Sequence, residues 1–356
     1  MTADLWRRRL LNKRIMSALH ETLFWGQKRS RKRAGMSEGL DDQPFQVLSL
    51  DGGGAKALFT AQVLAHLEDD LGVNIVDSFD LIAGTSAGGI IALALGAGVR
   101  PAVIVEQYKQ LVKDVFPRSR QFKLNPRRVI RPAYNDRVLR SALHAVLGDR
   151  LLGDSSKRLV IPAWDLHAGG VHIFKTPHHA HLSRDWRVPI VDVALATSAA
   201  PTYFPAAHVG DFRLIDGGIW ANNPSVVAIA EAVSTLDVPL NRIKVLNVGT
   251  THTTIHQGRR LDNGGLGRWA LKVIPTVMAA SSLGNEGTAL HLVGKDNFHR
   301  FDEHVPKGMY TLDKANSADL SSHAARLSRQ LSPTFRNHFA KHVAAPYMPV
   351  YGAGSI

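Results

Sequence analysis

The chain of 356 residues contains no cysteine. Disulfides, thiolate-bound zinc and a cysteine nucleophile are therefore all excluded. Long apolar runs are also missing. The longest candidate, Ile90 to Val99, falls well short of the roughly 18 residues that a membrane-spanning helix needs. No internal repeat is visible, and no low-complexity tract lies outside the N-terminal arm. The phosphate-loop pattern G-x-x-x-x-G-K-[ST] and the zinc pattern H-E-x-x-H are both absent, and no carboxylate set has ligand spacing. No cofactor and no metal are expected on these grounds. What is present is globular composition, 45% hydrophobic and 21% charged. That is enough to bury a large core, in one big α/β domain or two small ones.

The formal charge of +13 is unevenly spread. Residues 1–34 hold ten basic side chains against Asp4 and Glu21, a net +8, which leaves +5 for the other 322 residues. A basic arm favours phosphate, on lipid headgroups or on nucleic acid, without choosing between them. Within it Leu5, Leu11, Ile15, Met16, Leu19 and Leu23 fall roughly on one helical face, the pattern of an interfacial helix. A disordered basic tail fits equally, and Met36, nine residues before the first strand, is an unremarkable place for a start. Residues 1–44 are thus read as a basic extension, disordered or an amphipathic helix, and residues 45–356 as the folded domain. No uninterrupted apolar export signal is seen. The expected location is the cytoplasm, with the arm as a means of reaching the inner membrane surface.

Phe45 to Leu50 reads as a buried strand broken by Asp51-Gly52-Gly53-Gly54. Ala55 to Leu71 has helical spacing and stops at Gly72. A second strand is predicted over Phe79–Ala83 and a helix over Gly89–Ala97, with Pro101 opening a helix that runs to Val115. Further strands are expected at Arg158–Ala163, Val171–Phe174, Phe212–Ile215, Lys244–Val248 and Asn297–Phe301. Helices are expected at Val191–Ala196, Pro224–Leu236, Leu266–Leu283 and Asp319–Leu331. The alternation points to a layered α/β fold with a largely parallel sheet. The stretch from Ala97 to Val160 and the C-terminal helices are where a lid over a site would come from.

Three segments carry chemistry. Gly84-Thr85-Ser86-Ala87-Gly88 is G-x-S-x-G between a strand and a helix. A serine on such a turn projects its hydroxyl, and small neighbours let the backbone pass close by. The helix after it points its amides and positive dipole end at the reacting centre. Taken alone, the segment is equally a glycine-rich turn with a capping serine. Upstream, Gly52, Gly53 and Gly54 expose a row of N–H groups suited to an anion, and Lys56 is placed to hold that loop or add charge. A nucleotide cradle is the rival reading, since Gly52 to Ala57 also fits G-x-G-x-x-A, although the acidic residue a dinucleotide site wants after the next strand is missing. Downstream, Asp216-Gly217-Gly218 closes a strand, and alone it is a common turn.

In this order the three segments resemble the patatin-like phospholipase family. Two more segments share the likeness, Ala196-Thr197-Ser198-Ala199-Ala200-Pro201-Thr202-Tyr203-Phe204-Pro205 and Trp220-Ala221-Asn222-Asn223-Pro224. The resemblance runs from about Phe45 to Gly249. It departs mildly at Lys56 and Ala57, where the family often has Arg and Gly, so a bidentate contact made by that Arg would be lost. The resemblance implies a three-layer α/β/α sandwich with a mostly parallel central sheet. It also implies a Ser86–Asp216 dyad in place of a triad, an oxyanion hole from Gly52, Gly53 and Gly54, loop support from Lys56, Gly84, Gly88, Gly217 and Gly218, and an acyl-enzyme formed without metal. The implied activity is hydrolysis of fatty-acyl esters of the phospholipase A or lysophospholipase type. Compact bacterial members include anti-phage effectors switched on by cyclic nucleotides, and the chain is similar to these in length and in its Leu-Ser-Leu-Asp-Gly-Gly-Gly and Trp-Ala-Asn-Asn-Pro segments. A phospholipid or membrane-surface substrate, a cyclic-nucleotide activator and a homodimer are the partners this likeness suggests.

Two alternatives stay open. A Ser–His–Asp esterase acting on other esters could draw its base from His252, His291, His304 or His323, in the chain order serine, aspartate, histidine. A basic nucleic-acid-binding module is allowed by the charge alone, but no zinc-finger spacing or aromatic signature supports it. His178-His179-x-His181 reads as loop histidine rather than a metal site.

Overall fold

The computed structural model describes residues 43–116, 131–252, 261–270, 272–306, 310–313 and 316–352. The basic arm and its amphipathic-helix reading lie outside them. A sheet of eight strands among the described residues runs through the domain. Its middle is built from β1 (Phe45–Leu50), β2 (Leu81–Gly84), β3 (Arg158–Asp165), β7 (Ile243–Val248) and β8 (Phe298–Phe301), all parallel, in the order β3-β2-β1-β7-β8. The β3 edge is antiparallel. It carries β4 (Gly170–Lys175), the short β5 (Ala207–Val209) and β6 (Phe212–Asp216).

The central strands are apolar on both faces, as parallel strands covered by helices must be. Alternate residues divide between two layers. Leu48, Leu50, Ile82, Leu159, Ile161, Leu246 and Val248 face a large core. It is closed by α1 (Ala57–Leu71), α2 (Ala87–Gly96), α3 (Pro101–Val115), α4 (Asp136–Leu147), α5 (Ile190–Ser198) and, at the C-terminal end, a helix over Ser317–His338. Val47, Leu81, Ala83, Val160, Ile243 and Val245 face a smaller core. The sheet is therefore covered by helices on both sides, as the sequence pattern and the family likeness predict.

The smaller core lies under α7 (Ser225–Ser234) and a helix over Val273–Val293; the one-turn α6 (Gly218–Ala221) precedes α7. The single helix expected over Leu266–Leu283 is two, α8 (Leu266–Trp269) and α9 (Val273–Val293). Pro275 explains the restart. Inside a continuous helix its ring would strike the preceding turn, whereas in the first turn of α9 its missing N–H costs nothing. The C-terminal helix, α10 (Ser317–His338), continues past the expected stop at Leu331 with Pro333 inside it. Its extra turns bring Phe335 and Phe339 onto Phe79, at ring-centroid distances of 6.3 and 5.9 Å. Phe79 is therefore core under α10 rather than the start of β2. The helix α4 had no sequence assignment; Asn135 caps it by accepting from the Arg137 N–H at 2.9 Å, an interaction worth about 1 kcal/mol.

Phe339 is fully buried in the larger core. Phe339→Ala is expected to cost about 3–5 kcal/mol of stability, read as a lower urea midpoint with unchanged m-value.

Candidate active site

The parallel strands deliver their carboxyl-end loops to one place. After β2 the chain turns sharply into α2, and Ser86 sits at the turn with φ 56° and ψ −125°, a conformation that costs a non-glycine residue about 1–3 kcal/mol. The surroundings hold it there. The Ser86 N–H donates to Thr197 Oγ1 at 3.0 Å, and that hydroxyl donates to Pro162 O at 2.6 Å. Thr85 Oγ1 donates to Ala221 O at 2.6 Å. A side chain at Gly84 would collide with the Gly88 carbonyl, and one at Gly88 with the Leu50 carbonyl. The expected steric reason for G-x-S-x-G is thus met at both glycines.

Sheet register brings the aspartate to the serine. Ala83 pairs with Val160 in the parallel β2–β3 ladder. β3 then runs on to Ala163, which pairs with Asp216 on β6. Ser86 Oγ donates to Asp216 Oδ2 at 2.6 Å. Gly218 N–H donates to Asp216 Oδ1 at 2.7 Å, and Gly217 packs against the Pro162 backbone. Asp216 is fully buried. Burial pushes its carboxyl up to about 7, against the opposing pull of the Ser86 and Gly218 hydrogen bonds.

The glycine loop lies on the other side of Ser86. The N–H groups of Gly52, Gly53 and Gly54, the three expected donors, differ in what they bond. Gly52 N–H donates to Asn222 O at 2.9 Å. Ala55 N–H donates to Leu312 O at 2.8 Å. Between them, the N–H groups of Gly53 and Gly54 have no partner among the described residues. Gly54 has φ 56°, and any side chain there would strike the Leu312 carbonyl; its own carbonyl accepts from Tyr108 Oη at 2.8 Å. Lys56 is buried and donates to Thr251 O at 2.9 Å, and burial lowers its amine from the ordinary value although Asp302 and Asp51 oppose this. It holds the loop and does not enter the pocket.

The pocket over Ser86 and Asp216 is mainly apolar, lined by Ala87, Ile90, Tyr108, Leu111, Phe116, Leu139, Tyr203, Phe204, Met278 and Leu312. Helices α3, α4 and α9 and the Tyr203-Phe204 segment supply these walls. Sequence patterns missed them because they look like ordinary core residues. Also missed was the support at Thr197, Asn222 and Tyr108. Asn222 and Thr197 sat inside recognisable segments, but nothing local gives Tyr108 a role.

Among the described residues, no histidine is bonded to Ser86 Oγ or to the Asp216 carboxylate. The hydrogen-bond partners of Ser86 Oγ and of the Asp216 carboxylate are those given above. His252 Nδ1 faces Asp302 at 3.2 Å, His291 Nδ1 bonds Gly287 O, His323 lies against Glu303, and His304 packs its ring on His252. His178 is buried between Thr176 and Glu231, at 2.9 and 3.0 Å, and the His179 and His181 rings meet at a tilt, with centroids 4.2 Å apart.

Residues 48–229 match the family model described as patatin-like phospholipase. Three relatives align along nearly their whole length, each named "cGAMP-activated phospholipase". The protein from Escherichia coli (strain TW11681) is 33% identical, over 81% of this chain and 88% of its own. That from Vibrio cholerae serotype O1 is 34% identical, over 83% and 92%. That from Pseudomonas aeruginosa (strain BWHPSA011 / Pa011) is 35% identical, over 83% and 93%. With a matched family model, relatives of this identity and helices on both faces of a mostly parallel sheet, the chain belongs to the patatin-like phospholipase family, hydrolases that act on lipid esters.

Proposed function

We propose that the chain cleaves fatty-acyl esters of phospholipids through a Ser86–Asp216 dyad, and that a cyclic nucleotide switches it on. The 2.6 Å hydrogen bond from Ser86 Oγ to Asp216 Oδ2 carries the reading. As Oγ attacks the ester carbonyl, its proton passes to Asp216. The carbonyl oxygen becomes an oxyanion that the Gly53 and Gly54 N–H groups receive; each well-placed donor of this kind contributes roughly 3–4 kcal/mol. Asp216 then returns the proton to the departing alkoxide, leaving an acyl-serine. Water gives its proton to the same carboxylate, attacks the acyl carbon and releases the fatty acid as the proton returns to Ser86. The apolar pocket suits an acyl chain. The activator is supported by the names of the three relatives, which align over more than four-fifths of this chain. A lipase under such control fits membrane degradation as a response to infection.

Mass spectrometry of mixed phospholipids after incubation should show free fatty acid and lysolipid, with the yield rising on addition of cGAMP. Equal yield without nucleotide would remove the activator. Ser86→Ala and Asp216→Asn should each lower kcat by at least about 1,000-fold, while His252→Ala, His291→Ala, His304→Ala and His323→Ala stay near the parent. A histidine variant that abolishes turnover while Asp216→Asn retains it would replace the dyad with a triad.

The base must be unprotonated, so kcat/KM should climb with pH through about 7 and level off above. Stability should move the opposite way. The folded carboxyl holds its proton more tightly than the unfolded one, so its contribution to stability is greatest below about 4, is lost as pH rises from about 4 through about 7, and is level above that. Asp216→Asn, which cannot ionise, is therefore expected to melt at a higher temperature than the parent at pH 8, with the gain shrinking towards pH 4.

A further inference from the structure

Asp51 ends β1 and opens the glycine loop, and its carboxylate is buried. Asn247 Nδ2 donates to Oδ1 at 2.7 Å, Ser282 Oγ donates to Oδ2 at 3.0 Å, and Arg300 Nη1 pairs with Oδ2 at 2.9 Å. Arg300 is itself fastened on other sides. Nη2 donates to Asp302 Oδ2 at 2.7 Å, Nε lies 3.2 Å from Glu286 Oε2, and Nη1 also donates to Asn247 Oδ1. The sheet sets this up. Arg300 on β8 is in register with Asn247 on β7, and Asn247 with Ser49 on β1, two residues before Asp51. Arg300 and Glu286 lie well beyond the segment that matches the family model, which ends at residue 229.

We propose that Arg300 is a positioning residue of the hydrolase: through Asp51 it fixes the direction in which the Gly53 and Gly54 N–H groups point. The inference rests on the dyad reading above, since it concerns the oxyanion those groups receive. Arg300 touches neither substrate nor Ser86. Its effect runs from β8 through one carboxylate to the loop two residues on. The fork matters as well as the charge, because separate nitrogens reach Asp51 and Asp302 at once, which a lysine ammonium at the end of a flexible stem does not reproduce. A misdirected donor is felt at the tetrahedral oxyanion more than at the bound ester. A loss of Arg300 should therefore appear in kcat and not in KM.

The test uses the full chain with cGAMP present and a soluble short-chain ester as substrate. Arg300→Met should lower kcat by about 100-fold with KM within about threefold, and Arg300→Lys should fall between it and the parent. Binding of a trifluoromethyl ketone, which forms a tetrahedral adduct on serine, should weaken in step with kcat. His178→Gln disturbs a buried ion cluster that shares no residue with the site; it should lower Tm and leave kcat of the folded protein alone. If Arg300→Met does not fold, Arg300→Lys, which keeps the charge, carries the same readout. Parental kcat in folded Arg300→Lys, or a loss confined to KM, overturns the proposal. So does a kcat loss no larger than the unfolded fraction. Failure of the dyad is seen separately, as turnover surviving in Asp216→Asn or in Ser86→Ala.

Discussion

Asp216 is a fully buried carboxylate whose partners are one hydroxyl and one backbone N–H. No cation stands among the causes of its shift, and burial alone carries it up to about 7. In the proposed dyad, that condition would let an aspartate do what a histidine does elsewhere. An Arg or Lys beside it would return the carboxyl to its usual range and leave it too weak a base to deprotonate serine. The layout of charge respects this. Lys56 and Arg300 sit on the opposite side of the glycine loop, bound to Thr251 O and to Asp51, Asp302 and Glu286. Burial acts against Arg300, but the three carboxylates outweigh it and keep the guanidinium charged. Asp302 is likewise held below the usual range by His252 and Arg300, although burial alone would raise it.

Among the described residues, Lys56 and Arg300 thus lie behind the glycine loop, and the side chains lining the pocket in front are mainly apolar. The same separation fits a site drawn from the parallel middle of the sheet and from its antiparallel side. The parallel strands β1 and β2 provide the loop and the nucleophile at neighbouring carboxyl ends, a usual place for a ligand site in α/β sheets. The proposed base, Asp216, lies at the end of β6, which runs antiparallel to β3, and pairs with Ala163. A base delivered from β7 or β8 would have come from the side that carries Arg300.

Much of this was legible in the sequence, and the reason is local. Strands β1, β3 and β7 are runs of apolar residues ended by glycine, a turn or a charge, so period and punctuation suffice. The elbow and the glycine loop are legible because their steric demands fall on consecutive residues. Asp216 was legible through its company, as a lone Asp-Gly-Gly is an ordinary turn. What escaped depends on register between distant strands. Arg300 looks like any polar residue on an edge strand until β8 is laid beside β7. Nothing local says that Gly52 N–H finds Asn222 O, 170 residues away. The C-terminal helix runs past its expected end at Leu331, because burial of Phe335 and Phe339 against Phe79 outweighs the one helical hydrogen bond that Pro333 cannot make.

The departure at Lys56 can now be given a physical meaning. The concern was that lysine, in place of the arginine common in the family, forfeits a planar fork. Here the amine has one backbone acceptor, Thr251 O, and Thr251 N–H in turn donates to Asp302 Oδ1 at 2.9 Å. A single donor is all that this position asks for. The fork comes from Arg300, whose nitrogens span Asp302 and Asp51. Lys56 and Arg300 therefore meet at Asp302 from two directions, one by way of Thr251 and one directly. The oxyanion loop is held between them: Lys56 anchors its exit and Asp51 its entrance, with Gly53 and Gly54 left free in the middle.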